Sequence, residues 1–414
     1  MFRLTPVLCL AVGWLACAPR LRTFAYRLPT PATASIPASR TTFAPPVCLD
    51  WQGYVPDLRH PEYLPVRYLR VNVHVLDNSL GNAHRPKDSV RVYVRQLLDF
   101  ANAQLDTNIN VWRAPAGTPV LPKGYRFVLA PQPGDDGIYF HYDDALYYFI
   151  SQGKNQNNYD RTVIDRYGIG LDSIVNIFFQ VHPPDSVASK TYRANAQGIA
   201  LGTALKMAGV LEGNFGPEFS ARLLNHEVGH LLGLSHAWVE DGCPDTEFHP
   251  NKCWEWTPDP PCRELATNNM MDYNAYQIAL SPCQIGKVQA GFANERGPLR
   301  RCLLPTWCTL QPDRALVIAD SVHWAGARDL EGHLTIAPGG RLRISCRVSL
   351  PPGGRITVAP GGLLELDGCR LHNACGKNWD GIFIQEKNGL RGRVEVLRPP
   401  VLENISAEGP KTRP

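Results

Sequence analysis

The stretch His226-Glu227-Val228-Gly229-His230-Leu231-Leu232-Gly233-Leu234-Ser235-His236 constrains this chain more than any other. His226 and His230 are four residues apart, so on a helix they stand one above the other on the same face. The run from Pro217 to Leu224 and the pair Leu231-Leu232 supply an apolar face on which that helix can be buried. Gly233 can take a positive φ, end the helix and turn the chain back, which brings His236 to the same point from outside it. Three neutral imidazoles with a fourth position left to water make the open arrangement of a catalytic zinc, whereas a structural site closes that position. Glu227, beside the first histidine, is placed to act on metal-bound water without being a ligand. A bare His-Glu-x-x-His arises by chance in many chains. Gly233, His236 and the downstream Met271 extend it into a longer pattern that chance rarely supplies.

From about Leu69 to Ala290 the chain resembles a metzincin catalytic domain, and within that clan the pappalysin-like (cytophagalysin-type) metallopeptidases. The resemblance is carried by His226 through His236, by Asp245-Thr246 and by Asn269-Met270-Met271-Asp272-Tyr273. It implies a zinc-dependent endopeptidase acting on protein or peptide substrates, with His226, His230 and His236 holding one zinc and Glu227 serving as general base and acid. It implies further that Met271, rather than Met270, forms the turn beneath the metal. Tyr273 would lie near the zinc and stabilise the reacting carbonyl. Met271 is apolar and unbranched, which suits packing under the imidazoles and not ligation. A calcium ion near Asp245 is a further expectation, although Glu247 stands where relatives carry proline. The competing function is a catalytically silent metal domain joined to an adhesion or polysaccharide- or protein-binding module.

The expected fold is an α+β catalytic domain, a mixed sheet plus the zinc helix, over residues 66–300. A linker follows over 301–316, then a short all-β, parallel β-helix-like domain over 317–414. Alternating Val71, Val73 and Val75 predict a half-buried strand within Arg70 to Leu76. Val90, Val94, Leu97, Leu98, Ala101 and Leu105 recur at helical spacing and predict a long amphipathic helix from Asp88 to Leu105. Ile174 to Val181 is a compact apolar strand. Gly198-Ile199-Ala200-Leu201-Gly202 precedes the zinc helix and is the candidate edge strand for main-chain pairing with a peptide. Further on, Leu334 to Ile344 aligns with Ile356 to Leu366 at an offset of 22 residues, each copy a strand, a Pro-Gly-Gly turn and a second strand. A period of that length fits one coil of a parallel β-helix, where each coil needs neighbours to bury its face; a small β-sandwich is the competing reading. Such a module could contact a cell surface or matrix.

Residues 1–18 read as an export signal, with Arg3 ahead of an apolar run from Leu4 to Ala18, and Cys17 is placed for lipidation. Residues 19–65 read as a leader or propeptide, rich in Pro, Thr, Ala and Ser up to about residue 47. From Cys48 onward there are ten cysteines, an even number that fits disulfides in an oxidising, secreted or periplasmic setting. The even count favours a disulfide at Cys48 as well; the alternative, implied by the resemblance, is a propeptide thiolate that blocks the zinc. Cys243, Cys253, Cys262 and Cys283 lack the close pairs of a structural zinc site, and two disulfides there would pin a long loop. A net charge of +4 without a dense basic block argues against nucleic-acid binding.

Overall fold

The computed structural model describes residues 20–28, 48, 50–188, 196–212, 216–249, 257–273 and 277–406. The export signal, the lipidation site at Cys17, and Cys253, Trp254 and Trp256 lie outside the described residues.

The N-terminal half is a mixed sheet with its two long helices on one face and the short helix Thr162–Tyr167 on the other. Its central strand β1 (Arg67–Asp77) is flanked along one edge by two parallel strands in succession, β2 (Tyr125–Leu129) and β3 (Ile138–Tyr142). Along the other edge run β4 (Val175–Gln180), then β6 (Ala204–Ala208), both parallel; β5 (Gln197–Leu201) closes the sheet antiparallel to β6. The helix expected after β1 is α1 (Lys87–Asp106), and all six residues of its predicted apolar stripe are buried. It packs with α2 (Pro217–Leu231), which carries the first two histidines, and with Val71, Val73 and Val75 into one core.

The expectation of a half-buried β1 is corrected by the structure. Both faces are covered, because Leu76 and Phe178 build a second core with Val163 and Ile164 of the short helix Thr162–Tyr167, on the side away from the long helices. Asn72 and His74 are therefore buried polar residues inside a sheet, and they are satisfied by one another. His74 Nε2 lies 3.1 Å from Asn72 Oδ1 and 2.9 Å from Asn176 Oδ1, while Nδ1 lies 2.9 Å from His141 Nε2. Phe178 stacks on the His74 ring at 4.5 Å.

The C-terminal half is built of three parallel sheets that the chain visits in the same order on each pass. Leu334 lies beside Ile356 and Arg341 beside Leu363, the 22-residue offset of the repeat. Gly339 and Gly361 take φ of +80° and +82° at the two Pro-Gly-Gly corners, where a side chain would be strained. Ile336, Leu342, Ile344, Val358, Leu364 and Leu366 point into a common core.

The leader and the linker both belong to this packing. Arg22–Ala25 forms a strand antiparallel to Gly381–Lys387. Tyr63 joins the core of the stacked sheets against Trp324. Cys48 is bonded to Cys346 across 298 residues of sequence. In the linker the Leu304 N–H donates to the Tyr68 carbonyl, and buried Trp307 lies under the guanidiniums of Arg67 and Arg300. Cys308 pairs with Cys375, while Cys302 is a buried free thiol.

Where the two halves meet, a charged cluster is buried. Asp329 receives Arg300 at 2.6 and 2.9 Å and Arg347 at 2.6 Å; Arg67 donates to the Asp329 carbonyl at 2.9 Å and to Glu331 at 3.3 Å. Burial alone would raise the Asp329 pKa, but Arg347 and Arg300 outweigh it and hold the carboxyl well below its usual range. Removing one partner of such a group strands the others, so Asp329→Asn is expected to lose about 3–5 kcal/mol in denaturant unfolding. A loss under about 1 kcal/mol would show that the cluster does not hold the halves together.

The His74 pair predicts an acid response. Burial, with His141 close by, pushes the His74 pKa down to about 3, and burial pushes His141 down to about 4. Both lie below the 6.5 of an unfolded histidine, so the unfolded chain binds more protons in this window and stability falls as pH is lowered. The thermal midpoint should decline from about pH 6.5 toward about pH 4, with a shallower slope in His74→Gln than in the parent. Equal slopes would remove His74 as a cause.

Candidate metal centre

Pro217 at the first turn of α2, preceded by Gly216, starts a helix that needs no donor from proline there. The helix ends as Gly233 takes φ +87°. The Gly233 N–H then bonds to the His230 carbonyl and the Leu234 N–H to the Gly229 carbonyl, each at 3.0 Å, the paired bonds of a Schellman stop. That turn also orients a ligand, because His230 Nδ1 lies 2.8 Å from the Leu234 carbonyl. His226 Nδ1 lies 2.8 Å from the Met270 carbonyl. A carbonyl can only accept, so both Nδ1 atoms carry the proton and both Nε2 atoms present lone pairs.

Those lone pairs converge. His226 Nε2 is 3.2 Å from His230 Nε2, which is 3.0 Å from His236 Nε2. Nitrogens about 2.0–2.1 Å from a tetrahedral ion stand about 3.3 Å apart, so the spacing fits a metal. Convergent acceptors without a cation would repel. Burial holds His226 near a pKa of about 3 and, with His230 nearby, His236 near about 4, which keeps the imidazoles neutral as ligands must be.

Met271 sits beneath this group. A Cβ on Gly229 would lie 2.3 Å from Met271 Sδ, so the helix meets the turn where it has no side chain. The turn itself is locked: Met270 N–H donates to the Ala279 carbonyl, Met271 N–H to Asn269 Oδ1, and Asn269 pairs with Gln284 in both directions. Ala237 N–H donates to the Met271 carbonyl and fixes the segment bearing His236. Asp272, fully buried, accepts from Thr267 Oγ1 and contacts His249 Nε2 at 3.0 Å.

Two aromatic rings frame the centre. Trp238 stacks parallel on His236 at 4.0 Å, and Tyr273 lies 5.0 Å from the His236 ring, 5.5 Å from that of His226 and 4.4 Å from that of Trp238. Burial, with Glu227 close by, pushes the Tyr273 hydroxyl up to about 12. Glu227 is only 6% exposed, and burial pushes its carboxyl up to about 8. Gly198, Ile199, Ala200 and Leu201 lie on the edge strand β5 beside α2, and Gly202, at φ +72°, makes the turn that follows.

The structure thus brings together His226, Glu227, His230, His236, Met271, Tyr273 and the edge strand. Trp238, Gly229 and the Met270 carbonyl were not singled out in the sequence; of these, only a tryptophan two residues after the last histidine was a visible signal. Cys48 is not brought to the centre. Its sulfur is spent in the bond to Cys346, in line with the disulfide reading and against the alternative of a blocking thiolate. The calcium expectation concerned Asp245. Asp245 is occupied by Ser281 Oγ at 2.6 Å and the Cys283 N–H at 2.9 Å, and the neighbouring sulfurs of Cys243 and Cys283 are bonded to each other.

What converges is a three-histidine metal centre on a mixed α+β domain. No family model matches the chain and no curated protein matches it. Among solved structures the chain is similar to mature mirolysin of Tannerella forsythia in complex with a cleaved peptide, at 18% identity and TM-score 0.39, over 57% of this chain and 95% of that one. A promirolysin variant of the same organism matches at 18% identity and TM-score 0.37, over 62% and 90%. Likeness at this level assigns no residue a role.

Gly229→Ala should displace Met271 and cost about 1–3 kcal/mol through overpacking, with weaker metal retention on dialysis. Unchanged stability and metal content would show that the close approach is not needed.

Proposed function

We propose that this chain is a zinc-dependent endopeptidase whose active site is the His226, His230 and His236 centre. The observation that carries the reading is the convergence of three Nε2 atoms with a buried carboxyl, Glu227, one residue from the first of them. A zinc ion held there would lower the pKa of its bound water from about 15.7 toward about 7 and polarise a substrate carbonyl. Glu227 takes the proton given up during attack and returns it to the leaving amine. Burial alone would keep its carboxyl protonated, and the charge of a zinc ion held beside it would favour the carboxylate that accepts a proton. Tyr273 keeps its proton far above neutral pH and donates from its hydroxyl toward the developing oxyanion.

Substrate binds as an extended peptide along β5, whose far edge has no partner strand among the described residues. The stacked sheets form a parallel β-helix that serves as an accessory surface, contacting a cell surface or matrix. Export fits the disulfides Cys48–Cys346, Cys243–Cys283 and Cys308–Cys375, since such bonds persist in oxidising compartments. Among the described residues no helix is long and apolar enough to cross a membrane.

The purified protein should carry about one zinc per chain, and His230→Ala should lose it. Glu227→Gln should keep the metal and lose about 10²–10⁴-fold in hydrolysis of denatured protein substrates. Chelator-sensitive cleavage that survives in Glu227→Gln would refute the role of that residue. Zinc-loaded parent protein that cleaves nothing would favour the silent binding module instead.

A further inference from the structure

We infer that Gly198 is a positioning residue: its missing side chain lets the edge strand close over Glu227 and fixes where that carboxylate can stand. This rests on the reading of Glu227 as the proton carrier. A Cβ built on Gly198 would lie 2.4 Å from Glu227 Cγ and 2.7 Å from both Cδ and Oε1. Real Cβ atoms do not approach so closely, and Cγ is not the free end of the side chain, so a small tip movement gives no relief. Glu227 has little room to retreat at 6% exposure.

The strand cannot yield cheaply either. Gly198 pairs in antiparallel register with Met207, whose side chain is fully buried in the main core. Moving the strand away would break that ladder and open the core beneath it. The carboxylate must therefore turn instead.

What makes the contact decisive is how little else holds Glu227. Among the described residues no hydrogen bond or ion pair to the protein ties its carboxylate, which packs against the Gly198 backbone. A group oriented by hydrogen bonds would keep its direction through a small packing change. One oriented by shape alone does not. The backbone of β5 at Gly198 is thus a wall of the proton carrier's site as well as part of the strand on which a peptide pairs, and one glycine serves both. A displacement of about 1 Å in a reacting group can cost about 10²-fold in rate.

The test is a double-mutant cycle on the full-length, zinc-loaded protein, read in two ways. In kinetics on a short peptide, Gly198→Ala should lower kcat by about 10–100-fold while zinc content is unchanged and KM stays within about threefold. A raised KM with kcat intact would overturn the inference and leave Gly198 in substrate binding alone. In thermal unfolding, Gly198→Ala should lower the midpoint by about 2–4 °C beside Glu227 and leave it unchanged or higher in the Glu227→Ala background, where the collision is gone. Equal losses in both backgrounds would also overturn it. Should Gly198→Ala fail to fold, recovery of folding in the double variant supports the contact, and failure of both variants refutes it. The unfolding arm needs no activity, so a protein that cleaves nothing would sink the peptidase reading while this contact is still decided.

Discussion

The metal centre depends on one turn, Asn269 to Met271, pressed between two helices. Two of its carbonyls and the Met271 side chain face the centre. Met270 O fixes the tautomer and direction of His226, Met271 O holds the segment that carries His236, and Met271 Sδ fills the space left by Gly229. None of these groups touches a metal, yet each determines where a ligand nitrogen points. Ligand orientation of this kind is what separates a cluster of histidines from a site. The turn is held in place by amide pairing between Asn269 and Gln284, in the first turn of α3 (Pro282–Ala293), where Ser281 and Gln284 form a reciprocal cap.

Much of this was legible because it is local. Helical spacing places His226 over His230, the conformational freedom of glycine at 233 stops the helix, and valine alternation marks β1. The 22-residue echo around two Pro-Gly-Gly corners marks the stacked sheets. Each is a pattern that repeats within a few turns of chain, and the corresponding elements are seen at α2, β1 and the paired strands of Leu334 and Ile356.

What was not legible is contact between segments far apart in sequence. Cys48 could be read as a thiolate or a disulfide, and nothing nearby names Cys346 as its partner. Asn72 and His74 look like the solvent side of a half-buried strand, because period-two alternation shows which residues share a face and not what covers it. Gly198 reads as one more glycine in a strand until the position of Glu227 is known. Arg67, Arg300, Asp329, Glu331 and Arg347 are ordinary surface residue types, and only the fold reveals that they are buried together. Burial of charge is decided by tertiary packing, since such residues stay inside only when their partners arrive with them.

This distant packing changes how the two halves relate. The histidines all precede the stacked sheets in sequence, which suggests a catalytic unit complete without them. Yet α3 serves both. At its start Gln284 grips the turn beneath the histidines; at its end the Phe292 and Ala293 carbonyls accept from Arg300 and Arg347, the same two guanidiniums that clasp Asp329. Twelve helical residues span about 18 Å, so the turn and the charged cluster are the two ends of a single rigid rod. Cys48–Cys346 and the strand at Arg22–Ala25 then bind the leader to the far half as well. Removing the stacked sheets would leave Arg67 and Arg300 facing no carboxylate and would free one end of the helix that supports the metal centre. The sheets are therefore packed against the same helix that grips the turn beneath the histidines, whatever surface they also present.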